Sequence, residues 1–79
     1  MNKQRRSELS KVIAMIEEVK EALEALKEEE EESRDSIPEN LQGSSRYEVA
    51  DAACDSLDTA VSSLEEATEA ITEAMGEGA

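Results

Sequence analysis

The sequence predicts an all-α protein, an antiparallel two-helix hairpin with coiled-coil-like packing that is expected to assemble further into a helical bundle. Two long segments repeat apolar residues at alternating intervals of three and four, and the single Pro and the first Gly fall together between them. Composition points the same way. With no Trp or Phe and one Tyr in 79 residues, 37% of them charged, the chain lacks the large side chains of a layered globular core.

The first segment runs Leu9, Val12, Ile16, Val19, Leu23, Leu26, the a/d seam of a helix that packs lengthwise on another. It predicts a helix over 3–34. Ile13 widens the stripe, while Glu17, Glu18, Lys20, Glu21, Glu24 and Lys27 are placed on the outer face. Glu28 to Glu32 continue the polar face without an apolar seam residue, so fraying is expected there. Pro38 disfavours helical φ/ψ at Ile37 and ends the helix before Ser36.

The 35–44 stretch reads as the loop. Ile37 and Leu41 are spaced to plug the end of the helix pair, and Ser36-Ile-Pro-Glu39 suits one capped turn. Ser45-Arg-Tyr-Glu48 has the capping-box form, which assigns Ser45 as the cap that starts a second helix over 45–75. Its seam is Ala50, Cys54, Leu57, Val61, Leu64, Thr68, Ile71, Met75, closed by Gly76, with a tail over 76–79. The rest of that helix is rich in Ala and Ser, which let another helix approach closely.

One helix pair buries a single stripe on each helix, and chains of this size usually need a disulfide, a metal or assembly to offset chain entropy. Neither a second Cys nor a metal-binding motif is present. A homo-oligomer is therefore expected, most simply a two-fold four-helix bundle using Ile13, Ala22 and the Ala/Ser face of the second helix.

Eight basic against twenty-one acidic residues give a formal net charge of −13, which repels nucleic acid and anionic membranes and favours basic protein surfaces. No apolar run reaches the ~18 residues of a membrane span. Catalysis is not expected: there is no His, and Cys54 is flanked by Asp51, Asp55 and Asp58, which oppose thiolate formation. No cofactor or metal ligand set is predicted, because carboxylates spread along helices diverge and cannot wrap an ion.

Two surfaces remain as candidates. Carboxylates recur along the first helix at Glu17, Glu21, Glu24, Glu28 and along the second at Asp51, Asp55, Asp58, Glu65, Glu69, a row of negative charge comparable in sign and spacing with nucleic-acid phosphates. The plainer reading is a solvated, solubilising face. Basic residues cluster at Lys3, Arg5 and Arg6, and again near the second helix start, where Ser44, Ser45, Arg46 and Tyr47 combine small residues, free amides, a cation and a stacking surface. Such a cluster suits a small anionic nucleotide, in a pocket completed between antiparallel subunits. The alternative is that Ser45 only caps and that Arg5 and Arg6 pair with Glu73 and Glu77.

The segment Ile37-Pro-Glu-Asn-Leu-Gln-Gly-Ser-Ser-Arg-Tyr-Glu48, followed by a repetitive helix containing Ala60-Val-Ser-Ser-Leu-Glu-Glu-Ala-Thr-Glu-Ala-Ile71, resembles small acidic proteins of unassigned function encoded in phages and mobile elements of Gram-positive bacteria. The resemblance implies a cytoplasmic setting in a bacterial host and a role as a binder that blocks a host factor, including host defence, or sequesters a host signal. The leading expectation is a non-enzymatic acidic module that binds a basic host protein through its acidic faces, nucleic-acid mimicry being one way of doing so. Sequestration of an anionic nucleotide by an oligomer is the second, and a purely structural scaffold hairpin the third.

Overall fold

The computed structural model describes residues 1–76. It contains helix α1 (Lys3–Asp35), a 3₁₀ turn (Glu39–Leu41) and helix α2 (Ser45–Met75), with no strand among the described residues. The two helices lie antiparallel along a rod measuring 59 × 15 × 14 Å. No described helix is long and apolar enough to cross a membrane.

α1 begins at Asn2, whose side chain accepts from the Arg5 N–H at 2.7 Å, and so satisfies one of the free first-turn donors. The helix continues unbroken through Glu28–Glu32, where the sequence led us to expect fraying. The reason is electrostatic. Lys27 and Arg34 sit on the inner side of this stretch and pair across the hairpin with Asp58 and Asp51, each at 3.0 Å. The helix closes with the Ser36 N–H on Glu32 O and the Ile37 N–H on Arg34 O.

Ile37 is buried and plugs the end of the hairpin as expected, but Leu41 is 48% exposed. The one turn of the loop lies over Glu39–Leu41, after Pro38 instead of across it. That turn also sets the start of α2. The Ser44 N–H bonds Leu41 O at 3.0 Å, fixing Ser44 in extended backbone with its hydroxyl accepting from the Tyr47 N–H at 3.4 Å. Ser44, and not Ser45, is therefore the cap; Ser45 is already helical, and Glu48 falls one position too late to close a capping box. We expect Ser44→Ala to cost about 0.5–1 kcal/mol in urea unfolding, the low end for a cap with a long hydrogen bond, and Ser45→Ala only a few tenths. Equal effects at the two positions would contradict this assignment.

The α2 seam follows the predicted pattern. Cys54, Val61 and Met75 are buried, and Ala50, Leu57, Leu64, Thr68 and Ile71 half-buried. The α1 seam differs from the prediction. Leu9, Ile16 and Leu23 face α2 as expected, but the residues that alternate with them are Ile13, Lys20, Lys27 and Arg34, all half-buried. Val12 is at the margin, and Val19 and Leu26 are 55% and 56% exposed. Both stripes share Leu9, Ile16 and Leu23 and both keep the three–four alternation. Counting apolar residues selects the wrong one, because Lys and Arg can cover apolar surface with their methylene stems while their charged ends reach Asp58 and Asp51.

A candidate acidic interaction face

The two cross-hairpin ion pairs fix the register. Lys27 to Arg34 is one heptad forward on α1, and Asp58 to Asp51 one heptad back on α2, with the same 3.0 Å contact at each step. Asp51 and Asp58 thus approach the seam from one side. Further along the rod, Ile13, Glu17, Thr68, Glu69, Thr72 and Glu73 line a shallow groove of about 380 Å³ on that side. The two carboxylate rows read separately from the sequence therefore converge. Glu17, Glu21, Glu24 and Glu28 from α1 and Asp51, Asp55, Asp58, Glu65 and Glu69 from α2 share one long face of the rod, half a helix turn or less from the seam.

Within this face the cations are few and recessed. Lys20 lies 3.8 Å from Glu17, Lys27 binds Asp58, and Arg34 binds both Asp35 and Asp51. Glu21, Glu24, Glu28, Asp55, Glu65 and Glu69 make no ion pair among the described residues. The Lys27 ammonium is held above its usual range first by its hydrogen bond to Asp58, with Asp58, Glu31 and Glu24 adding attraction. Arg34 is raised likewise, chiefly by its hydrogen bond to Asp35. Burial pushes the Cys54 thiol up, an effect that Arg34 partly opposes. It is a free, buried cysteine in the seam, with the character of a small core residue. Among the described residues, no group of three or more His, Cys, Asp or Glu is placed to hold a metal ion.

The residues considered for anion binding are not brought together within one chain. Lys3, Arg5 and Arg6 stand at the open end of the rod, and Ser44, Ser45, Arg46 and Tyr47 at the loop end, separated by the 33 residues of α1, about 50 Å. Arg6 donates to the Met1 carbonyl at 2.8 Å, and neither Arg5 nor Arg6 pairs with Glu73; Glu77 lies outside the described residues. Tyr47 is half-buried at the head of the α2 seam and offers little stacking surface. Arg46 lines a small groove with Ser33, Ser36, Ile37 and Pro38, which Ser44 does not line. The Ser36 hydroxyl there is already committed to Glu32 O at 2.8 Å.

Sequence reasoning missed the role of Lys20 and Lys27, which it placed on the outer face, and of Arg34. A signal was present in the sequence: the three recur at sevens on α1, as do Asp51, Asp58 and Glu65 on α2, the pattern of a cation row facing an acid row. Comparison with family models, curated proteins and solved structures returns no match to this chain.

Proposed function

We propose that this chain is a non-enzymatic protein-interaction module, of the kind carried by phages and mobile elements, that binds the basic surface of a host protein through its acidic face. The observation that carries this reading is the convergence of both carboxylate rows on one side of the rod. At 1.5 Å per residue, the rows place a carboxylate on average about every 5.5 Å along α1 and about every 6.8 Å along α2. Two rows side by side give roughly one charge per 3 Å, within a factor of two of the ~1.7 Å per charge of duplex DNA. A protein that recognises the phosphate backbone by Lys and Arg would meet a comparable field, with little competition from recessed cations.

Electrostatic binding of this kind is steered at long range and weakened by salt. The test is competition: the protein should displace fluorescent duplex DNA from basic DNA-binding proteins of a Gram-positive host, with an apparent affinity that falls at least tenfold between 50 and 200 mM salt. The variant Glu21→Gln/Glu24→Gln/Glu28→Gln/Glu69→Gln should keep its helical circular dichroism and lose the displacement. Displacement that survives neutralisation of these four carboxylates would refute the acidic-face reading.

A further inference from the structure

Opposite the carboxylates the rod carries an uncharged stretch, bounded on α1 by Glu8 and Glu29, which continue the spacing of its residues at either end. On α1 it presents Val12, Met15, Val19, Ala22 and Leu26, at intervals of three, four, three and four; Met15, Val19 and Leu26 are each more than half exposed. On α2 it presents Ser56, Ala60, Ser63, Ala67, Ala70 and Ala74, with the same alternation. These are second seams. On each helix they flank the buried seam on the side away from Asp51, Asp58 and Glu17, so the ion pairs that bring the acids together also bring these stripes together. One stripe is large and the other small.

We infer that this uncharged face is a docking surface for a second copy of the chain, with α1 of each protomer lying antiparallel on α2 of the other around a two-fold axis parallel to the rod. Two observations single out a second copy. The first is shape. In the register fixed by Lys27 and Asp58, Val19 comes level with the interval between Ser63 and Ala67, and Leu26 with that between Ser56 and Ala60. The large residues of one protomer thus meet gaps between small residues of its partner, twice over by symmetry. The second is charge. With a net charge of −13 on each chain, two copies can approach closely only through a stretch that bears none of it, and between Glu8 and Glu29 this face is such a stretch.

The dimer is a four-helix bundle with its carboxylate faces pointing outward in opposite directions. It differs from the bundle expected from sequence: Ile13 belongs to the seam within each hairpin, while Val12, Val19 and Leu26, expected in that seam, take its place together with Met15. The axis parallel to the rod also keeps both Lys3–Arg6 tips at the same end, away from either loop, so no composite anion pocket forms.

Sedimentation equilibrium at 10–100 µM in 0.15 M salt tests this directly. The wild-type chain should sediment as a dimer, with a Tm that rises with protein concentration. Leu26→Lys makes each copy less negative and yet should convert it to a monomer, because it sets a charge in the interface; Glu21→Gln, an equal charge change on the acidic face, should leave the dimer intact. Should Leu26→Lys lose its helix as well as its dimer, Val19→Lys, at a second site of the stripe that is 55% exposed in the hairpin, decides the matter: it too should abolish the dimer. A wild-type monomer across this range, or a dimer that survives Leu26→Lys, would overturn it.

Discussion

Val61→Asp is expected to abolish the helical fold. Val61 is 5% exposed, and the register set by Lys27 and Asp58 brings it level with Leu23, one turn further along the seam. A carboxylate there loses its hydration and gains no cation, since Lys27 is already engaged by Asp58. Burying an unpaired charge costs several kcal/mol even after local relaxation. A hairpin of this size has a margin of only a few kcal/mol in total. The far-ultraviolet circular dichroism of Val61→Asp should therefore be that of an unfolded chain at 25 °C. The control is Thr59→Asp, two residues away on the exposed side, which adds the same charge and should remain helical. A folded Val61→Asp would mean that the two helices do not pack through this seam.

The second large effect comes from the ion-pair ladder. Lys27→Glu places a carboxylate against Asp58 and near Glu24 and Glu31, the groups that now raise the lysine's pKa. We expect Tm to fall by roughly 5–10 °C at low ionic strength, and the deficit to shrink in 1 M salt, where screening acts over about 3 Å. Exchanging the pair, as Lys27→Glu/Asp58→Lys, should recover most of the loss, while Lys27→Glu/Asp55→Lys should recover little because Asp55 lies off the seam. Equal rescue from both would show that bulk charge alone matters, and that the register is not set by this contact. The measurement belongs near pH 7. The raised Lys27 pKa means that its contribution is complete below the ordinary lysine range and is lost as pH rises through the folded-state value above 10.5.

The fold was legible because it rests on periodicity and punctuation. Pro38 and Gly43 mark one break, the flanking segments repeat at helical spacing, and Gly76 ends the second helix with φ 78°, a conformation favoured by glycine. The α2 seam was legible because its alternatives are all Ala and Ser, which leaves one stripe of larger residues. α1 was not. It carries two stripes of equal regularity, and the choice between them depends on which acids α2 presents, information held some thirty residues away. The cap at Ser44 was hidden for a related reason: two adjacent serines are equivalent locally, and the preceding 3₁₀ turn decides between them. The acidic rows could be read from either helix alone, but their convergence follows only from the α1 register.

The one thiol of this protein, Cys54, has a use that follows from its position. It is 4% exposed in the seam, two turns below the loop and beside the Arg34 pairs, where burial disfavours the thiolate. A disulfide reagent in solution can reach it only when the helices part at that end. With no second cysteine to confuse the signal, the rate of thiol labelling is a clock for hairpin opening, and it reads the local separation of α1 from α2 without any introduced probe. A partner that clamps the rod would slow that clock, and one that pries the helices apart would speed it.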